Sequence, residues 1–268
     1  GCGALHRAHQ AVYIDDYMSK TGDLSWGIAA VNLRSAEARI FDFLSKDKGG
    51  YLLKTTSPDG ISHFRMVRSH VHFSDWSKEP RKAEELLGLP SVKALSMTVT
   101  ESGYYLNDDW SLNLNDPLVA SEIKGNAKCS VYAFLSASLK YRMEKINLPI
   151  TILCCDNIRS NGEILERNFR TYLKNTEQFE LENWLNVNVT FPNSMIDRIT
   201  PRATSTLKQE VSQISADLQE TAIHGEHFIQ WVIENKFAND MPALDEVGVE
   251  LVDQVNPYEE AKIRILNG

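Results

Sequence analysis

The chain has 268 residues, 28 Lys and Arg against 36 Asp and Glu, a net charge of -8 and 43% hydrophobic residues. That apolar content supports a sizeable core in one large domain or two smaller ones, and the acidic balance argues against a nucleic-acid surface, which needs a basic stripe. No window is long and apolar enough to span a membrane as a helix, so no membrane partner is expected either.

In chain order, the first signal is Gly1-x-Gly3. In a dinucleotide fold, glycines at this spacing allow a tight turn and a close backbone approach to pyrophosphate at a helix N-terminus. The third glycine of the G-x-G-x-x-G pattern is replaced by His6. The run WGIAAVNL (26–33) is continuously apolar, as in a strand buried on both faces of a parallel sheet. Beyond its end, Glu37 stands where an acid accepts from the adenosine ribose hydroxyls, although a solvated glutamate at a helix start has the same local pattern. Arg34 and Arg39 nearby suit a 2′-phosphate instead.

Residues 51–67 read as a hairpin turning at Ser57-Pro58-Asp59-Gly60. Residues 92–100 read as a strand, 129–146 as a helix, 148–157 as a second buried strand and 162–175 as an amphipathic helix. The alternation in 184–193 predicts a strand, and HFIQWVIENKF (227–237) predicts a helix. A composition change at 251–257 marks a candidate boundary, and PYEEAKIRILNG (257–268) reads as the first turns of a helix, with Pro257 near its start and Glu259 and Glu260 in the first turn. Strands alternating with helices predict an α/β fold with a mostly parallel sheet.

Several patterns bear on chemistry. Four cysteines, Cys2, Cys129, Cys154 and Cys155, lack framework spacing; the adjacent pair lies in an apolar run and reads as buried thiols of a reducing compartment, which predicts a cytoplasmic protein. Tyr-x-x-x-Lys occurs at Tyr141–Lys145 and Tyr258–Lys262, a spacing that shares a helix face but also arises by chance in helices of this composition. His70-x-His72 and His224-x-x-His227 are the close His pairs, and neither CxxC nor HExxH supports a metal site, so none is expected. Two apolar strands break into polar residues where α/β sheets bind ligands: one at Asp156-Asn157, leading through Ser160, Asn161 and Gly162 into a helix, the other at Asn193, Asp197 and Arg198. Asn and Asp there also serve as ordinary helix caps, and an Asp-Arg pair can simply lock a turn.

GCGALHRAHQAVYIDD, WGIAAVNLRS, TVTESGYY, CDNIRSNG, FPNSMIDRITP, WVIENKF and PYEEAKIRILNG occur in this order over essentially the whole chain. In this the chain resembles the mannitol dehydrogenase family, the long-chain polyol-specific dehydrogenases that include fructuronate and tagaturonate reductases. The resemblance implies a Rossmann-type dinucleotide-binding domain over 1–253 that lacks its first strand, then the start of a helical substrate domain at 254–268, with Asn267-Gly268 inside an active-site helix. It implies metal-independent chemistry with NAD or NADP. Lys262 matches the general base, Asn157 and Asn267 match side chains that stabilise the developing alkoxide, and Asp197 matches an aspartate beside the substrate hydroxyls. Gly1, Gly3, Leu5, Arg7, Glu37 and Thr100 match the cofactor side, Leu5 standing where the family has Phe. NAD is expected over NADP because the Glu37 carboxylate repels a 2′-phosphate. The expected reaction is oxidation of a mannitol-like sugar alcohol to a ketose by a monomer; the alternatives are a hexuronate reductase of the same family and a non-catalytic nucleotide-binding fragment. The 268 residues alone are expected to lack dehydrogenase activity.

Overall fold

The computed structural model describes residues 2–34, 38–46 and 50–267, the last three without their side chains. Gly1, Glu37, Gly268 and the side chain of Asn267 therefore lie outside the described residues. The order begins α1 (Ala4–Ala8), α2 (Gln10–Thr21), β1 (Ile28–Asn32), α3 (Ala38–Lys46), β2 (Tyr51–Thr56), β3 (Ser62–Val67) and β4 (His70–Asp75). It continues with α4 (Pro80–Leu86), β5 (Ala94–Met97), α5 (Pro117–Ile123), α6 (Val131–Lys145), β6 (Ile150–Cys154), α7 (Asn161–Asn175) and α8 (Phe179–Asn188). Then come β7 (Val189–Thr190), β8 (Ser194–Asp197), α9 (Ser205–Ile214), β9 (Ile223–Glu226), β10 (Gln230–Glu234), β11 (Glu250–Val252) and α10 (Asn256–Asn267). Pairs β1/β4, β2/β9, β5/β6, β6/β7 and β10/β11 are parallel and β2/β3 is antiparallel. This is the α/β fold with a mostly parallel sheet that the alternation of patterns predicts.

The chain divides into two compact units. The first comprises Gly1–Asp75, Ile196–Trp231 and Pro242–Val249. Its predicted hairpin forms between β2 and β3, and Gly60 takes the left-handed φ of +84° that closes the turn. The period of two along β2 sends neighbouring leucines to opposite faces. Leu53 joins Ala8, Val12, Phe41, Leu44 and Ile223 in one core, while Leu52 packs with Leu207, Val211, Leu218 and Ala222 in another. The expectation that 26–33 is buried on both faces fails: the strand is shorter, and only Ala30 and Asn32 are buried along it. Along β1, Ile28 and Val31 are half-buried and Ala29 is exposed, and among the described strands β1 pairs with β4 alone.

The second unit comprises Trp76–Met195, Val232–Met241 and Glu250–Gly268. Here β6 lies between β5 and β7, and all five of its residues are buried. Helix α6 is started by Ser130, whose hydroxyl accepts from the Ala133 amide at 3.1 Å. Two predicted elements change type. Residues Trp184–Asn188 belong to helix α8, leaving only Val189–Thr190 extended, because Leu181 and Leu185, four apart, bury one helical face. Residues 230–234 form strand β10, not helix: Trp231, Val232 and Ile233 are buried in succession, and β-branched residues covered in this way suit a pleated strand.

Candidate active site

In the second unit, the chain leaves the carboxyl end of β6 as Cys155-Asp156-Asn157 and enters α7 through Ser160, which holds a left-handed φ of +50°. Asp156 is buried, and its Oδ1 accepts from the Ile158 amide at 3.1 Å while its Oδ2 accepts from the Tyr104 hydroxyl. Burial pushes this carboxyl up, and the donors Tyr104, Ile158 and Asn161 oppose that shift. Asn157, between these anchors, is exposed.

The polar residues that follow mainly fasten the backbone. The Asn161 amide donates to the carbonyls of Ser194 at 2.9 Å and Cys154 at 3.2 Å, while its Oδ1 accepts from the Ser194 amide at 3.0 Å. Asn193 Oδ1 accepts from the Glu163 amide at 3.1 Å in the first turn of α7, so the capping explanation holds for this residue. The buried Glu234 accepts in turn from the Asn193 amide at 3.1 Å and from Lys236 at 3.0 Å. Gly162 is required by this packing, since a Cβ there lies 2.6 Å from the Pro192 carbonyl oxygen.

Helix α10 meets the same loop at two points. Glu259 is buried, and its Oε1 accepts from the Ser160 amide at 3.0 Å. Burial raises its carboxyl; the carboxylates of Glu234 and Glu163 add to the rise, whereas the Ser160 amide and Arg159 oppose it. One turn on, the half-buried Lys262 donates from Nζ to Asn157 Oδ1 at 3.2 Å. The structure thus brings together Lys262 and Asn157, 105 residues apart in sequence. Tyr258, the partner of Lys262 in the Tyr-x-x-x-Lys pattern, packs on Met195, Val232 and Val255. At the other such pattern, Arg81 lies 4.5 Å above the Tyr141 ring and Lys145 is exposed.

In the first unit, Gly3 is exposed and opens α1 with no side chain capping the first turn; the space where a Cβ would stand is open to 4 Å. Uncapped amides with open space beside them fit a pyrophosphate, so Gly3 and the start of α1 are the residues that would hold that part of a dinucleotide. His6, in place of the third glycine, turns inward and lies 3.0 Å from His70, Nε2 to Nε2, at the start of β4. Leu5 is half-buried. The Arg7 guanidinium is buried and donates to the Cys2 carbonyl at 2.9 Å and to that of Thr221, while the Tyr51 hydroxyl donates to the Arg7 carbonyl at 2.5 Å. Arg34 is exposed, and Arg39, also exposed, pairs with Glu220 at 3.3 Å. Asp197 ends β8, half-buried. Beside it Arg198 is buried and donates to the Glu226 carbonyl at 3.0 and 2.8 Å and to that of Ala8, locking the turn. Thr100, in the second unit, is exposed and precedes the short helical turn Glu101–Tyr104.

His224 contacts the Thr56 hydroxyl at 3.0 Å, and no group of three or more His, Cys, Asp or Glu among the described residues is arranged to hold a metal ion. Tyr104 had no distinguishing sequence pattern; its aromatic ring in the TESGYY block was the only available signal.

A family model described as the mannitol dehydrogenase Rossmann domain matches residues 1–246. D-arabinitol 4-dehydrogenase of Klebsiella pneumoniae is 38% identical over 267 residues, which cover 100% of this chain and 58% of that protein. D-mannonate oxidoreductase of Escherichia coli (strain K12) is 35% identical over 273 residues, covering 100% of this chain and 55% of that protein. Among solved structures, Pseudomonas fluorescens mannitol 2-dehydrogenase in ternary complex with NAD and D-mannitol matches with a TM-score of 0.89 at 30% identity, over 98% of this chain and 54% of that one. The chain spans about half the length of the curated relatives it matches. On this match and the α/β architecture that accompanies it, the chain belongs to the mannitol dehydrogenase family, of which it carries the Rossmann-type domain.

Proposed function

We propose that the protein oxidises a secondary alcohol of a sugar alcohol to a ketose with NAD, without a metal. The observation that carries this reading is the contact between Lys262 Nζ and Asn157 Oδ1 beyond the carboxyl end of β6. When bound, NAD supplies the acceptor for the hydride that leaves the carbinol carbon. The chain's own residues handle the proton and the charge. Lys262 Nζ keeps an N–H on Asn157 Oδ1 and takes the hydroxyl proton on its lone pair. With Oδ1 so engaged, Asn157 presents its Nδ2 donors to the substrate oxygen, where negative charge develops. Asn267 is assigned the same task from the family resemblance, and Asp197 the binding of further hydroxyls. Gly3 and the first turn of α1 hold the pyrophosphate, with Gly1, Leu5, Arg7 and Thr100 assigned to the cofactor side, and Glu37 favours NAD over NADP by repelling a 2′-phosphate. Buried free thiols at Cys2, Cys154 and Cys155 suit a reducing, cytoplasmic setting.

A second reading, reduction of a hexuronate such as fructuronate or tagaturonate, is favoured by the 35% identity to a D-mannonate oxidoreductase. Assays of the native-length protein on mannitol, arabinitol, fructuronate and tagaturonate with both cofactors separate the two. Higher kcat/KM on a polyol with NAD is expected; preference for a hexuronate selects the second reading, and preference for NADP overturns the role of Glu37. In the same assay Lys262→Ala is expected to lower kcat by about 10²–10⁴-fold while NADH binding is kept. Turnover within a few-fold of wild type at neutral pH removes Lys262 from the base role.

A further inference from the structure

Tyr104 has no part in the mechanism above, yet its hydroxyl is committed to the residue next to Asn157. The side chain is buried to 1% exposure, its hydroxyl donates to Asp156 Oδ2, and it lies 3.6 Å from Cys154 Sγ. The other carboxylate oxygen, Oδ1, accepts from the Ile158 amide at 3.1 Å. An aspartate that accepts from the amide two residues on closes an Asx turn, and the residue enclosed by this one is Asn157. The backbone of Asn157, and with it the direction of its side chain, therefore depends on where the Asp156 carboxylate stands. The Ile158 amide and the Asn161 side chain reach this carboxylate from its own loop, and the Tyr104 hydroxyl, brought in from the Glu101–Tyr104 turn, is the donor that fixes Oδ2 from outside the loop. Tyr104 is itself tied down, since the Tyr132 hydroxyl donates to the Tyr104 carbonyl at 3.0 Å.

We infer that Tyr104, acting through Asp156, is a positioning residue for Asn157, setting the direction from which its amide meets the reacting oxygen. The inference rests on the proposed role of Asn157 at the alkoxide. A ring that merely fills space beneath β6 would contribute to stability alone, whereas a positioning hydroxyl acts on turnover only while Asn157 is present.

The test is a double-mutant cycle in the native-length enzyme with Tyr104→Phe, Asn157→Ala and the double variant, accompanied by urea midpoints and by hydrogen exchange at the Ile158 amide. Tyr104→Phe keeps the ring and removes one hydrogen bond. It is expected to lower kcat by about 10- to 100-fold with KM for NAD unchanged, and to cost nothing further in the Asn157→Ala background. Independently of catalysis, exchange at Ile158 is expected to speed up about tenfold in Tyr104→Phe, the equivalent of one lost hydrogen bond. Should Tyr104→Phe fold poorly, Asp156→Asn, which keeps one acceptor oxygen, is expected to show the same non-additivity. Additive losses in kcat, an unchanged kcat in Tyr104→Phe, or unchanged exchange at Ile158 overturns the inference. Wild-type kcat in Asn157→Ala alone instead overturns the alkoxide role of Asn157, and the exchange at Ile158 then decides whether Tyr104 holds the turn.

Discussion

Arg142 illustrates how much a single side chain can carry without touching the chemistry. It is buried to 1% exposure and donates to the backbone carbonyls of Leu148 at 2.7 Å, Leu87 at 2.6 Å and Pro149 at 2.8 Å. No carboxylate pairs with it in these bonds; its fork of donors satisfies the carbonyl of the buried Leu87 and ties down those of the exposed Leu148 and of Pro149, which also accepts from Asn239 at 2.9 Å. Arg142→Met keeps the apolar stem and leaves the buried Leu87 carbonyl without its donor, at a cost of about 1–3 kcal/mol. The expected outcome is a loss of roughly 1–3 kcal/mol in a urea titration, and a midpoint within error of wild type contradicts it. From sequence Arg142 is one more polar residue in a helix, because the carbonyls it serves come from segments on both sides of it. The Lys262–Asn157 contact is hidden in the same way: each residue sits in a recognisable block, but nothing local to either block specifies that they meet.

Elements were legible to the extent that their own periodicity decided them. The hairpin at β2 and β3, the buried strand β6 and helices α6 and α7 appear where their patterns place them, within a few residues. The elements at 184–188 and 230–234 change type because short apolar runs fit both periods, and the decision falls to the surfaces against which they pack. Gly162 belongs at this scale. In an exposed helix Gly→Ala usually stabilises by up to about 1 kcal/mol. Here the added methyl meets the backbone oxygens of Phe191 and Pro192, the latter at 2.6 Å, and neither can yield without moving the strand connection. Gly162→Ala is therefore expected to destabilise by about 1–3 kcal/mol, read as a lowered urea midpoint. A stabilised variant contradicts the contact. The sign, and not only the size, depends on a neighbour 30 residues along the chain.

At the scale of the whole molecule, the buried His6–His70 pair links stability to pH. Burial holds His6 well below the usual imidazole value, with His70 and Arg7 adding to the effect, and burial with the Arg7 charge pushes His70 down to about 4. Both rings are neutral when folded and take up protons when unfolded, so the stability they contribute is full above about pH 6.5 and is lost as pH falls toward 4. For His70 alone the loss is of order 3 kcal/mol by pH 4. Urea midpoints are expected to fall across that window and to fall less steeply in His70→Leu; equal slopes in the two proteins contradict the linkage. The sequence by itself determined the family, the α/β class, the hairpin and the stretches where polar residues interrupt apolar strands, because these are written in local period and in the order of short blocks. Only the tertiary structure decided that His6 fills the place of a glycine by facing His70, that Tyr104 holds Asp156, and that Lys262 rests on Asn157. Each is a contact between residues tens to more than a hundred positions apart, and which distant side chains meet is set by strand order and packing, which no local pattern encodes.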